Sequence, residues 1–292
     1  MSLHAQGPTV IRTPAELRAL GTAISFVPTM GALHDGHVQL MKHARPLGET
    51  LVASIFVNPT QFAPGEDFEE YPRTFDADLE RCAEAGVDVV FAPSVQTMYP
   101  DGRENGVTVD PGSLGSILEG RSRPTHFRGV LTVVSKLFGL VRPEVAVFGE
   151  KDYQQLTLIK QMNDALCLGI DIQGCPTVRE ADGLAMSSRN TYLTPEQRQQ
   201  APALYAALRA GAAVSGAGPE AVLAAAHAVI DQAEGVELDY LELTSADLGD
   251  PVPGDARLLI AARVGKPRLI DNIHLTLPDL DQPEGDQPCS AR

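Results

Sequence analysis

The first half of this 292-residue chain alternates short apolar runs with longer helical patterns, and few architectures accommodate that rhythm. "AISFVP" (23–28), "LVASIFVN" (51–58), "VDVVFAP" (87–93) and "EVAVFGE" (144–150) are rich in Val, Ile and Phe and read as buried strands. Helices are predicted between them near 37–47, 74–85 and 126–141, with another at 152–167. Such alternation implies a parallel sheet covered on both faces, since each crossover must bury its apolar side against the sheet. Right-handed crossovers then carry ligands to the carboxyl ends of the strands. The expected fold class is α/β, a Rossmann-like doubly wound parallel sheet with a smaller C-terminal α+β domain.

That second domain is read from a change of pattern. "TPAE" (13–16) and "TPEQ" (194–197) each offer a Thr N-cap, Pro at the first helical position and Glu or Gln to close a capping box. The second opens an Ala-rich helical region, 195–233, broken by "SGAGPE" (215–220). Three strand-like runs follow at 238–244, 256–264 and 267–275. Expected domains are therefore 1–177, binding nucleotide and the acid substrate, and 178–278, a lid-type unit. The polar, Pro-rich tail 279–292 is expected to be disordered.

Composition narrows function. A net charge of −15 argues against nucleic acid, whose phosphates would be repelled. An acidic protein that binds a nucleotide needs a local island of Lys, Arg and His. Cys82, Cys167, Cys175 and Cys289 form no CxxC pair, so idle thiols are expected rather than a disulfide framework. No signal peptide is visible, and the most apolar stretch, "GVLTVVSKLFGLV", is short for a bilayer and carries Lys136. A soluble cytoplasmic protein is expected.

The chemistry-bearing motifs all follow apolar strands. "HDGH" places His34 and His37 at a helix N-terminus, where unpaired N–H groups and the helix dipole favour an anion. Imidazole donates hydrogen bonds to phosphate oxygens, and Gly36 clears the approach of a flat ligand. On these residues alone, a metal pair or two histidines on a helix face stay open, although no second Cys/His cluster accompanies them. "NPTQF" supplies the amides of Asn58 and Gln61, which both donate and accept and suit a hydroxy acid; it is also a plain Asn-Pro turn. "GEKDYQQ" offers Lys151 to phosphate oxygens, while Asp152 and Gln155 also spell a capping-box variant. "GLAMSSRN" puts Ser187, Ser188 and Arg189 in one short stretch that can grip a pyrophosphate, or lie solvated on a surface. GxxxxGK[ST], GxGxxG and GxSxG are all missing, which disfavours a P-loop and acyl-enzyme chemistry.

In this order the set resembles the nucleotidyltransferase superfamily with its HxGH motif. More closely it resembles the pantothenate synthetase (pantoate–β-alanine ligase) family, through "PTMGALHDGH", "SIFVNPTQF", "YPRT", "PTHFRGVLTVVSKLF", "FGEKDYQQL", "VREADGLAMSSRN" and "LIDNIHL". The resemblance implies that ATP activates pantoate as pantoyl adenylate, releasing pyrophosphate, and that β-alanine then displaces AMP. It implies catalytic roles for His34, His37 and Lys151, with His37 as proton donor. It further implies an ATP site of Met30, Gly31, Ala32, Leu33, His34, Asp35, Gly36 and His37, with Gly149, Glu150, Lys151, Asp152, Val178, Met186, Ser187, Ser188 and Arg189. Pantoate would be held by Gln61, Gln155 and Asn58, and β-alanine beside Gln61. Mg²⁺ would arrive with ATP, no protein metal ligand is implied, and a homodimer is. The rivals are another nucleotidyltransferase, a tRNA synthetase fragment, which the acidic charge disfavours, and a catalytically silent nucleotide binder.

Overall fold

The computed structural model describes residues 7–21, 23–103 and 105–279. The tail expected to be disordered falls, beyond Asp279, outside the described residues, as does Cys289. Two compact units emerge, one running to Ala181 and taking in Ala185–Thr191, the other holding Asp182–Leu184 and the chain from Tyr192. A division at 177/178 would leave 178–191 with the second unit. In the structure 178–181 and 185–191 belong instead to the first unit; within the segment, Arg179 bridges Ala185, and Met186 N–H donates to the Val178 carbonyl at 2.9 Å.

The first unit is a six-stranded sheet of β1 (Thr9–Ile11), β2 (Ile24–Thr29), β3 (Thr50–Ile55), β4 (Val89–Phe91), β5 (Val145–Gly149) and β6 (Asp171–Cys175). Their order is β1-β4-β3-β2-β5-β6, and every pairing is parallel. The central strands β2 and β3 are buried almost throughout, as both covered faces require. β1 and β6 escaped the apolar pattern because an edge strand has one neighbour; β6 reads "DIQGC" and stays half-exposed. One layer of core gathers Phe26, Phe91, Phe138 and Ile159 under helices His126–Val141 and Tyr153–Ala165. The other gathers Val27, Met41, Leu51 and Val90 under helices Asp35–Ala44 and Phe75–Glu84.

From β2 the chain steps outward to β3 and β4, then returns to β5 on the other flank of β2. The strand order therefore reverses between β2 and β5, and a doubly wound sheet opens its ligand crevice at that reversal. "HDGH" follows β2 and "GEKD" follows β5, so the two most charged motifs face each other across the switch point.

The second unit is α+β. β7 (Val236–Ser245), β8 (Gly254–Val264) and β9 (Arg268–Leu277) form an antiparallel meander packed against helices Ala203–Ala213 and Pro219–Ile230. Thr13 and Thr194 both close the expected capping boxes. Among the described residues no helix is long and apolar enough to cross a membrane. Cys82, Cys167 and Cys175 are free thiols.

Candidate active site

At the end of β2 the backbone turns through two left-handed residues, Gly31 (φ +80°) and Ala32 (φ +49°). The buried Asp78, from helix Phe75–Glu84, holds this turn: its carboxylate accepts from Ala32 N–H at 3.1 Å and Leu33 N–H at 2.8 Å. Successive N–H groups in such a turn form an anion cradle, here filled by the protein's own carboxylate. A Cβ on Gly31 would stand 2.9 Å from Asp78 Oδ2, which adds a second reason for glycine.

Helix Asp35–Ala44 then begins with a cap made of imidazoles. His34 is the N-cap, and its Nδ1 accepts from Gly36 N–H at 3.1 Å. His37, at the third helical position, reaches back so that its Nδ1 accepts from His34 N–H at 3.3 Å. This corrects the expectation that unpaired helix N–H groups present the anion site, because the histidines cap two of them. It also gives Gly36 a further role beside its place in the cavity lining. A Cβ there would lie 2.8 Å from His34 Cε1, so glycine lets the His34 ring fold onto the helix end.

The cap fixes both tautomers. Each Nδ1 accepts from a backbone N–H and is bare, so Nε2 carries the proton and is the donor each ring can offer. The rings lie 4.1 Å apart between centroids. Burial, then the Lys151 charge, pushes the His34 pKa down to about 4. Burial, then His34 and Lys151, pushes His37 down to about 3. Both shifts favour the neutral ring at pH 7, so each ring has its Nε2 N–H to offer, a state the sequence did not reveal.

A cavity of about 240 Å³ opens over these rings, entirely within the first unit. It brings together Met30, His34, Gly36 and His37 with Asn58, Gln61, Gly149, Lys151, Asp152, Gln155, Val178, Met186, Ser187, Ser188 and Arg189. Five residues of the implied nucleotide set are not among its lining: Gly31, Ala32 and Leu33 form the Asp78-held turn, while Asp35 pairs with Arg81 at 2.7 Å. Glu150, the fifth, has its side chain over Gly174, 3.1 Å from where a Cβ would stand.

Lys151 lies in a 3-10 turn, Glu150–Asp152, that leads from β5 into helix Tyr153–Ala165. The expected Asp152–Gln155 capping box is absent, because Asp152 (φ −92°, ψ 60°) lacks the extended cap geometry and makes no side-chain cap bond. Both residues line the cavity instead. The Arg189 guanidinium is engaged too, with Nε and Nη2 each 3.1 Å from the two Asp67 oxygens. Ser188 Oγ is 3.5 Å from Tyr71 Oη, and Ser187 Oγ accepts from Arg189 N–H at 3.2 Å.

Asn58 is almost fully buried and its hydrogen bonds are spent on protein. Its amide N–H₂ donates to Gln61 Oε1 at 3.2 Å and to the Gly129 carbonyl at 3.1 Å. Its oxygen accepts from Tyr99 Oη at 2.7 Å and from Thr60 Oγ1 at 3.0 Å. Asn58 thus orients Gln61 and has no amide N–H left to offer a ligand.

The cavity also exposes what sequence reasoning missed. Arg123, His126, Tyr71 and Phe62 line it, and Asp67 and Asp78 support its wall. For Tyr71 and His126 a signal was present in "YPRT" and "PTHFRG", which carried the resemblance without contributing a site residue; Arg123, Asp67 and Asp78 lie outside the motifs.

A doubly wound sheet with a histidine-capped helix and a lysine turn flanking its switch point defines a nucleotidyltransferase-type α/β protein. The model of the pantoate–β-alanine ligase family matches residues 7–274. A pantothenate synthetase of Nocardia farcinica is 55% identical, covering 97% of this chain and 92% of its own. One from Thermobifida fusca is 54% identical, covering 92% and 96%. Among solved structures, pantothenate synthetase from Thermus thermophilus superposes with a TM-score of 0.86 at 47% identity, covering 91% of this chain and 98% of that one. The Francisella tularensis pantoate-beta-alanine ligase, complexed with beta-gamma ATP and beta-alanine, gives 0.76 at 37% identity, covering 91% and 97%. The chain belongs to the pantoate–β-alanine ligase family, enzymes that join pantoate to β-alanine to make pantothenate.

Proposed function

We propose that this chain makes pantothenate in two steps within the one cavity. The pantoate carboxylate attacks the α-phosphorus of ATP, forming pantoyl adenylate and releasing pyrophosphate. The β-alanine nitrogen then attacks the acyl carbon, and AMP leaves with the electron pair of the broken C–O bond. The observation that carries this reading is the convergence of two neutral imidazole donors and Lys151 with the amides of Gln61 and Gln155. A carboxylate approaching an anionic phosphate needs fixed donors and positive charge, and amides suit the hydroxyls of a small acid. The relative from Francisella tularensis, solved with beta-gamma ATP and beta-alanine, supports the same substrates here.

In this reading His34 and His37 donate from Nε2 to phosphate oxygens, and Lys151 offsets the charge that develops as pyrophosphate departs. A neutral imidazole N–H is a weak acid, so the geometry favours His37 as a hydrogen-bond donor over a proton donor. Mg²⁺ would enter as the ATP complex and neutralise phosphate charge when bound; Asp152 is the carboxylate among the cavity-lining residues. Arg189, paired with Asp67 here, is placed to exchange that partner for a phosphate.

Isotope exchange between pyrophosphate and ATP, measured without β-alanine, tests the first step. Exchange is expected only when pantoate is present. Absence of exchange at any pantoate concentration, in protein that makes pantothenate, would rule out a reversible adenylation.

A further inference from the structure

Three histidines line the cavity, and hydrogen bonds to the backbone divide them into two kinds. His34 and His37 accept at Nδ1 and so offer N–H from Nε2. His126 does the reverse. Its Nδ1 lies 2.9 Å from the carbonyl oxygen of Gln61, and a carbonyl can only accept, so Nδ1 carries the proton. Burial, followed by the Arg123 charge, lowers the His126 pKa to about 4, so the ring is neutral and Nε2 is a bare acceptor. Among the described residues no protein group bonds that Nε2, and it is not sealed from the cavity.

The other polar groups around it are donors or can donate. Arg123 donates to both oxygens of Glu66 at 2.7 Å and to the Gln61 carbonyl at 3.3 Å. Lys151 and the two capping histidines have only N–H to give, and Gln61 and Gln155 present amides of both characters. Asp152 is the other acceptor-only group, but it adjoins Lys151 on the phosphate side of the crevice. An amine or ammonium nitrogen brings N–H groups to be accepted, whereas pantoate and ATP bring mainly oxygens to be donated to.

Resting on the adenylation reading above, we propose that His126 Nε2 accepts a hydrogen bond from the β-alanine nitrogen and aims its lone pair at the acyl carbon. The incoming ammonium first loses one proton to water. Its lone pair then forms the C–N bond, the acyl C–O bond to AMP breaks, and the nitrogen's surplus proton also leaves to water. His126 stays neutral throughout and orients the nucleophile without storing its proton. The same ring, through Nδ1, holds the carbonyl of Gln61, so one side chain ties the amine position to the pantoate-side amide.

His126→Asn and His126→Gln separate the two nitrogens. Asparagine places an N–H near the Nδ1 position and keeps a donor for the Gln61 carbonyl, but removes the acceptor at Nε2. Glutamine reaches the Nε2 position with an amide oxygen. With His126→Asn, the KM for β-alanine should rise roughly 10- to 100-fold, the loss of one hydrogen bond to a charged or polarised group. Pantoate-dependent ATP–pyrophosphate exchange should change less than about 5-fold, and His126→Gln should recover much of the β-alanine KM. Exchange and ligation falling together in both variants would overturn the proposal and reduce His126 to a support for Gln61. An unchanged β-alanine KM in His126→Asn would overturn it as well. Wild-type protein without pantoate-dependent exchange would instead remove the adenylation reading itself.

Discussion

Replacing Lys151 with alanine is expected to lower turnover by about 10²–10³, the usual consequence of losing one preorganised charge donor. Three observations make this lysine a large contributor. It follows β5 at the switch point, directly across from the histidine-capped helix that follows β2. Its charge is felt by both imidazoles, whose pKa values it helps to depress. It lines the cavity together with both capping histidines. In the two-step reading proposed above, Lys151 answers the charge on the departing pyrophosphate. Steady-state kcat, with circular dichroism as a check on folding, measures the effect. A near-normal rate in folded protein would remove Lys151 from the phosphate site.

The second large effect is expected at a residue with no functional group. Gly129 lies in helix His126–Val141, where it packs against the 3-10 turn Pro59–Gln61. A Cβ there would stand 2.3 Å from the Thr60 carbonyl oxygen and 2.7 Å from Gln61 Cα. Alanine favours a helix over glycine by roughly 0.5–1 kcal/mol. Overpacking against backbone costs about 1–3 kcal/mol, so the clash outweighs the gain. The turn must shift, and with it Gln61, the Asn58 bond to the Gly129 carbonyl and the His126 bond to the Gln61 carbonyl. Gly129→Ala should therefore lower kcat/KM for pantoate by about 10², the scale of an ångström-sized misplacement. It should also lower the melting temperature. Unchanged pantoate kinetics would show that the turn absorbs the methyl group without moving Gln61.

The strands that could be read from sequence are those whose environment dictates their composition. β2, β3 and β5 are flanked on both sides, so their apolar runs were legible. β1 and β6, at the edges, carry no such requirement, and β6 passes as polar loop. The placement of His34, His37 and Lys151 at the carboxyl ends of strands also followed from pattern, since their motifs close predicted strands; that these strands flank the switch point came only with the strand order. What a linear reading cannot give is which nitrogen of a histidine is spent. The His34–His37 cap, the engagement of Asn58 with Tyr99 and Gly129, and the Asp67–Arg189 pair join residues through the fold. Arg189 and Asp67 are 122 positions apart, and His126 and Gln61 are 65 apart. Neither partnership has a local signature, and the same is true of Asp78, whose carboxylate looks from sequence like ordinary surface charge on a helix.

The central claim is that this cavity joins the pantoate carboxylate to the α-phosphate of ATP before β-alanine reacts. The most direct measurement is the fate of the carboxylate oxygens. Pantoate carrying a heavy oxygen isotope at both carboxylate positions should deliver one labelled oxygen to the phosphate of AMP in each turnover, with the other retained in the new amide carbonyl. AMP released without label, while labelled pantoate is converted to pantothenate, would contradict the account.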